Sequence, residues 1–422
     1  MKHLKIWLIQ IGEPTPYEGH SERIMRTGML AKYLKSEGVD VTWWSSRFDH
    51  ANKRFRDTKS AQYESDTFGK IIYLDGPSYR KNVSFRRVMH HRSVAADFQR
   101  IAATLEKPDV ILCGMPIPEL CQSAITFGKK YDVPVVLDIR DLWPDEIQQL
   151  FSQPLRWAIS LLLLPMRRQV QFACRNATAL SGTSDGYVEW GLQKGGRQKV
   201  STDRSFPLAY TKLEPSSVDI SEGKLFWKEH GVGEIAGELT ICYFGMLGAL
   251  SQLETVIDCA RHCQKAGKKI KFIICGDGDK LPDYQKRATG LDNLLFTGRV
   301  GAKQIWTLMR IADCGLVCYP DTISYRLNVP NKAIEYLSGG LPLIYCQKGA
   351  LHDLAQIEGV GYKYENGSPK SLFHAIEDLK NNEKKRNKMS LKAIELFQNK
   401  FVAEKVYSRL GKYLESFCES SA

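Results

Sequence analysis

Short apolar, β-branched runs alternate with segments whose apolar residues recur every three or four positions, and this alternation constrains the fold more than any other feature of the chain. Parallel strands need long crossover connections, so the pattern predicts an α/β fold of parallel sheets covered by helices. In the first half, strands are expected at 5–11, 39–45, 70–74, 109–113, 133–139 and 177–181, with helices at 21–36, 84–105, 118–130 and 184–192. Ser21 is the expected cap of the first helix, whose inner face holds Ile24, Leu30, Ala31 and Leu34. Between 204 and 223 the pattern lapses into a polar stretch with Pro207, Pro215 and the pair Ser216-Ser217, which reads as a domain boundary. Strands then resume at 239–245, 271–275, 294–296, 315–319 and 341–346, with helices at 251–266, 303–311, 368–379 and 402–417. A chain of 422 residues exceeds one ordinary domain. The expected division is 1–205, 206–400 and a terminal helix over 401–422.

The net charge of +12 favours acidic partners such as phosphorylated small molecules, anionic lipid headgroups or nucleic acid. The chain lacks a zinc, helix-turn-helix or aromatic RNA-binding signature, so nucleic acid is not expected. The eleven cysteines are scattered and sit mostly in apolar runs, as buried free thiols do in a reducing compartment. Met1-Lys-His-Leu-Lys leads directly into an apolar run too short for a secretory leader, and no run approaches a membrane span. No Gly-x-x-x-x-Gly-Lys loop is present, and no metal site is expected. Asp277-Gly-Asp279 reads as a turn, and His90-His91 as ordinary surface residues of a basic helix.

The densest chemistry lies in Asn328-Val-Pro-Asn-Lys-Ala-Ile-Glu335, continuing through Gly339-Gly340 to Pro342. Pro330 suits a helix start, and Ala333, Ile334 and Leu337 give that helix an apolar face. Glu335 is thus carried on a short helix beside Lys332 and Arg326, a place where an acidic side chain can accept from ribose hydroxyls and cations can meet phosphates. Glycines also recur after successive strands, at Gly245, Gly248, Gly276, Gly278 and Gly298, the last followed by Arg299. Glycine lets backbone N–H groups approach a diphosphate, although a lone glycine at a strand end is ordinarily just a turn.

This half of the chain resembles the retaining GT-B glycosyltransferases of family four, the glycosyl transferases group 1, and in particular the branch that builds O-antigen and capsule polysaccharides. Glu335, Gly340 and Pro342 match the second half of that family's Glu-x7-Glu signature, with Leu327 at the first Glu position and Pro330-Asn331-Lys332 in the Pro-x-Lys form of the branch. The runs 242–254, 272–278, 293–300 and 311–318 resemble the family's successive strand–loop units. The loop after 239–245 carries Met246 and Leu247 where many relatives have Arg and Lys. The resemblance implies two Rossmann-like domains facing across a cleft, with the last helix crossing back to the first domain. It implies a nucleoside-diphosphate sugar donor, UDP-linked by expectation, bound by Gly12, Gly245, Gly248, Gly276, Gly278, Arg299, Arg326, Asn328, Lys332 and Glu335. No cofactor or metal is implied.

In the first half, Asp138-Ile-Arg140-Asp141-Leu-Trp143-Pro144 resembles a signature of the same branch. Carboxylates beside an arginine can orient an acceptor hydroxyl or take its proton, and a plain Arg140 ion pair with a Trp-Pro packing turn is the alternative. Asp141 and Glu335 are the expected catalytic carboxylates, and Glu13, Gly19, Asp138 and Trp143 the expected acceptor contacts. Arg80, Lys81, Arg86, Arg87, Arg92 and Arg100 surround Val83, Phe85, Val88 and Met89, and the run 155–168 joins Trp157 and five leucines to arginines. Such surfaces dock on anionic lipid, as a lipid-linked saccharide acceptor at the cytoplasmic membrane face requires, or are simply a solvated face and a core helix. The resemblance thus implies a hexosyl- or N-acetylhexosaminyltransferase of surface polysaccharide assembly. An epimerase of the same fold and an inactive sugar-nucleotide-binding protein are the alternatives.

Overall fold

The computed structural model describes residues 4–16, 24–56, 61–149, 153–212, 215–233 and 237–419. The chain divides into two units, Met1–Pro207 with Glu404–Ala422, and Leu208–Ala403. In the first, the strand Lys5–Ile9 lies between Asp40–Ser46 and Val110–Met115. Gly69–Leu74 and the antiparallel Gln62–Ser65 extend one side of it, and Val135–Ile139, Ala179–Gly182 and Arg204–Ser205 the other. The central strands are buried along almost their whole length, as a sheet covered on both faces must be. Aromatic rings fill one side of it: Trp7 meets Trp44 at 4.9 Å and Phe127 at 5.2 Å, and Trp44 meets Phe98 at 4.8 Å between centroids.

The final helix, Ala403–Glu419, belongs from Glu404 onward to this first unit. Its Gly411 lies where a Cβ would be 2.9 Å from the Tyr33 ring, Tyr413 donates to the Thr202 carbonyl at 2.7 Å, and its ring meets Phe206 at 5.0 Å.

The second unit is a six-stranded, all-parallel sheet. Leu239–Phe244 is flanked by Ile270–Cys275, then Leu294–Gly298, on one side, and by Cys314–Val317, Leu343–Tyr345 and Gly361–Lys363 on the other. The chain therefore builds outward from Leu239–Phe244, then returns to its other flank. The crevice at that reversal, beyond the carboxyl ends of the strands, is where open α/β sheets bind ligands. Gly315 permits Tyr336 to lie flat on the sheet, since a Cβ there would be 2.3 Å from the ring.

Several expectations are corrected. Ser216-Ser217 does not continue a loop. Ser216 caps the helix Ser217–Glu229 through a reciprocal box with Asp219. His90 and His91 are not surface residues; both are 2% exposed on the helix Phe85–Ala102, and burial lowers His90 to about 4. The 18-residue helix Glu383–Lys400 went unforeseen, although Met389, Ala393, Leu396 and Phe397 mark its buried face. The first helix starts at Arg26 with Met25 at its cap, and the expected cap Ser21 lies outside the described residues. All eleven cysteines are free, ten of them buried.

Candidate functional site

In the second unit, three loops are stitched together at the carboxyl edge of the sheet. Gly245 N–H donates to the Cys275 carbonyl at 2.9 Å, Gly276 N–H to Gly298 at 2.8 Å, and Leu247 N–H to Asp277 at 2.9 Å. Gly245, Gly276 and Gly278 have φ of 151°, 148° and 149°, a region that side chains rarely enter. A Cβ on Gly276 would sit 1.9 Å from the Gly245 carbonyl oxygen, and one on Gly278 2.6 Å from that of Leu247. These glycines therefore serve chiefly to let the loops touch. Met246 N–H and Gly248 N–H have no acceptor among the described residues, and Met246 is 79% exposed.

Beneath this loop lies Lys332. The helix Asn331–Ser338 starts with Pro330 at its cap and carries Lys332 and Glu335 on one side, both less than a tenth exposed. The Lys332 ammonium stands 3.1 Å from the centroid of the Tyr243 ring and 5.3 Å from that of Tyr319. It has no hydrogen-bond partner among the described residues. A Cβ on Gly245 would be 2.8 Å from its Nζ, so only that bare backbone position separates the charge from the loop surface. Burial drives Lys332 down to about 7, against the pull of Glu335. Tyr319 in turn stacks on Tyr325, 4.3 Å away and nearly parallel. The aromatic floor of Tyr243, Tyr319 and Tyr325 was not foreseen from the sequence.

The other expected donor residues are placed differently. Arg326 is exposed but held by Asp321, at 2.6 and 2.8 Å, which lowers the Asp321 carboxyl and engages both ends of the guanidinium. Arg299 is exposed after Leu294–Gly298, with no ion pair among the described residues. Asn328 ends the short helix Ile323–Leu327 in an extended conformation.

In the first unit, the expected acceptor residues divide. Asp138 is fully buried in the strand Val135–Ile139 and accepts from Arg26 at 3.0 Å, Arg140 at 2.7 Å and Ser181 at 2.7 Å. Burial alone would raise its pKa, but the two arginines outweigh this and hold it well below the usual carboxylate range. Asp138 is thus an internal counter-ion and offers nothing to an acceptor. Glu13, 7% exposed, is drawn into the same network by Arg140 at 2.5 Å and the Thr27 N–H at 2.8 Å. Trp143 is half-buried, with the Arg87 guanidinium 4.0 Å over its ring. Gly12 is exposed, and Gly19 lies outside the described residues. Asp141 remains partly accessible, its carboxylate accepting from the Leu142 N–H at 3.0 Å. Glu146, absent from the sequence expectations, is raised to about 9 by burial and by Asp141, so this carboxyl pair retains a proton at neutral pH. Among the described residues, no group of three His, Cys, Asp or Glu side chains is placed to hold a metal ion.

Two Rossmann-like units with these sheets, and a last helix returned to the first, define the GT-B class of fold. Residues 226–396, within the second unit, match the sequence model of the family "Glycosyl transferases group 1". Among solved structures, sucrose-phosphate synthase from Thermosynechococcus elongatus is similar at a TM-score of 0.74 and 15% identity, covering 99% of this chain and 100% of its own. HepE from Anabaena, solved with UDP and glucose, is similar at 0.68 and 16%, covering 98% and 100%. WaaG, described as a glycosyltransferase involved in lipopolysaccharide biosynthesis, is similar at 0.63 and 11%, covering 97% and 99%. At such identities the likeness concerns the fold. No curated protein sequence matches the chain.

Proposed function

We propose that this protein is a retaining glycosyltransferase. It moves a hexose or N-acetylhexosamine from a UDP-sugar to a lipid-linked saccharide in surface polysaccharide assembly. The observation that carries the reading is the unpaired Lys332 ammonium beneath the glycine-stitched loop at the reversal point of the second unit's sheet, inside the segment that matches the family. A diphosphate is the natural counter-charge for a buried cation behind a side-chain-free loop. Met246 and Gly248 N–H groups meet the phosphates, Arg299 adds charge at the neighbouring strand end, and Glu335 accepts from the ribose. As the bond from the sugar C1 to the phosphate oxygen breaks, charge builds on the departing diphosphate, where Lys332 stabilises it. The acceptor oxygen forms the new bond to C1, and Asp141, paired with Glu146, orients that hydroxyl and receives its proton. The UDP and glucose solved with HepE and the lipopolysaccharide role of WaaG support the choice of donor and pathway class.

Thermal unfolding with UDP, GDP, dTDP, ADP and CMP tests the donor site. UDP is expected to raise the melting temperature by mass action, and Glu335→Ala to remove that rise. No shift with any nucleotide at millimolar concentration overturns the assignment.

The acceptor side calls for membrane contact. No helix among the described residues is long and apolar enough to cross a bilayer. Phe85, Met89 and Val83 are nonetheless exposed beside Arg80, Lys81, Arg86 and Arg92, as are Trp157, Leu161 and Leu162 beside Arg156. Both groups have the apolar-plus-basic make-up of a peripheral lipid contact on the cytoplasmic face. Co-sedimentation with vesicles containing phosphatidylglycerol is expected, with little binding to phosphatidylcholine alone. The double variant Phe85→Ser, Trp157→Ser is expected to weaken it by about tenfold or more, given the area each ring can bury. Equal binding to both vesicle types removes the membrane part of the proposal.

A further inference from the structure

A cavity in the second unit lies not at the loops above but at the opposite, amino-terminal edge of its sheet. It encloses 920 Å³, a volume suited to a sugar-sized ligand. Its floor is formed where Asp313 enters the strand Cys314–Val317 and where Gly340-Leu341-Pro342 leads into Leu343–Tyr345. Gly223 sets one wall, because the absence of a side chain lets Ser217–Glu229 press onto Thr307 of Ala302–Ile311; a Cβ would be 2.4 Å from the Thr307 hydroxyl. The helix Glu383–Lys400 forms another.

Four cations converge on this space, Lys212, Lys224, Arg310 and Arg386, against one lining carboxylate, Asp313, among the described residues. Asp313 is already committed, to Arg386 at 3.3 Å and to the Thr240 N–H at 2.8 Å. Arg310 forms no ion pair among the described residues; its guanidinium lies 3.8 Å over the Trp306 ring, which presents a flat, charged platform to the cavity. Cations in excess within a recess favour an anion, and charge-assisted bonds there are stronger than on open surface. The remaining polar lining is of amides and hydroxyls, Asn387 and Gln398 with Thr307, Ser338 and Ser390, which suit the hydroxyl groups of a sugar, while Trp306 and Tyr210 suit its apolar ring face.

We propose that this cavity is a second ligand site, for an anionic carbohydrate: a sugar carrying a phosphate or a carboxylate. Tyr210 lines it and is bridged to Val402, through Tyr210 N–H to the Phe401 carbonyl at 3.0 Å and Ala403 N–H to the Tyr210 carbonyl at 3.1 Å. Both crossings of the chain, after Pro207 and after Ala403, thus lie within a few residues of the cavity wall. The inference does not depend on the donor-site reading.

The test is thermal unfolding of the full chain with glucose 1-phosphate, glucuronate and neutral glucose, each at tens of millimolar. At least one anionic sugar is expected to raise the melting temperature by about 2–4 °C while glucose does not. Whichever anion acts distinguishes phosphate from carboxylate as the recognised charge. Arg310→Glu and Lys224→Glu change exposed positions, so folding should survive, and both should abolish the shift while leaving any UDP response intact. Glu335→Ala, at the opposite edge, should retain it. The proposal fails if neither anion shifts the protein, if the shift survives both charge reversals, or if Glu335→Ala removes it, which would assign the binding to the other site.

Discussion

Gly276→Ala is expected to cost on the order of 3 kcal/mol of stability and to abolish UDP binding. The added Cβ would lie 1.9 Å from the Gly245 carbonyl oxygen, an atom of the backbone that cannot rotate aside as a side chain would. The backbone at Gly276 also has φ near 148°, so the alanine is strained even before the clash. Relief requires the Gly245 loop to lift off the Gly276 loop, which breaks the bonds from Gly245 N–H to Cys275 and from Leu247 N–H to Asp277. The expected fall in melting temperature is roughly 6–12 °C for a unit of this size. Gly248→Ala is the matched control. A Cβ there meets nothing nearer than Met246 at 3.9 Å, so its stability should stay within about 0.5–1 kcal/mol of wild type. Gly276→Ala with unchanged unfolding and unchanged UDP binding would show that the two loops need not touch for the site to exist.

This difference between two glycines of one motif shows where sequence reading stops. That glycines cluster at strand ends was legible, because strands and turns are local. Which glycine faces a neighbouring loop depends on strand order, and that is not local. Arg326 makes the same point. It read as a charge available to a diphosphate, yet Asp321, only five residues earlier, engages two of its three nitrogens, Nε and Nη2, once the turn between them has formed. Asp138 read as an acceptor contact because it opens the segment that resembles a signature of the polysaccharide branch. It lies instead on an interior strand buried on both faces, where a carboxylate survives only among cations, here Arg140 two residues on and Arg26 brought from a distant segment. The helix Glu383–Lys400 had its signal, four apolar residues spaced over nine positions from Met389 to Phe397, but lysines and polar residues around them masked it. The Pro330–Glu335 segment was legible as a helix bearing a lysine and a carboxylate. The burial of that lysine was not, because Tyr243 comes from the strand Leu239–Phe244 and Tyr319 from the loop after Cys314–Val317.

That burial yields the second large effect. Lys332 titrates near 7 in the folded protein and at 10.5 when unfolded. Its folded value is depressed, so the sign is opposite to that of a lysine in an ion pair. Below pH 7 both states carry the proton, and the native state bears the full cost of the buried charge. Between 7 and 10.5 the unfolded state alone keeps the proton, so stability rises with pH; above 10.5 the gain is complete. At 1.36 kcal/mol per pH unit the gain is on the order of 4–5 kcal/mol. Other groups titrate in this range, so the readout is the difference between wild type and Lys332→Met, measured by denaturant unfolding from pH 6 to 10. The methionine variant is expected to be the more stable protein at pH 6, with that advantage shrinking as pH rises. Function should move the other way. A diphosphate next to Gly245 favours the ammonium form, so UDP binding above pH 7 should take up close to one proton, visible as a buffer-dependent heat in calorimetry. Its affinity should fall by up to tenfold per pH unit above 7. Lys332→Met should remove the proton uptake and cut turnover by about 10²–10³-fold, the loss seen when a preorganised charge facing a leaving group is deleted. A variant that is more stable and equally active would separate Lys332 from the chemistry. A wild type whose stability relative to the variant does not change with pH would mean that the ammonium finds a partner in solution.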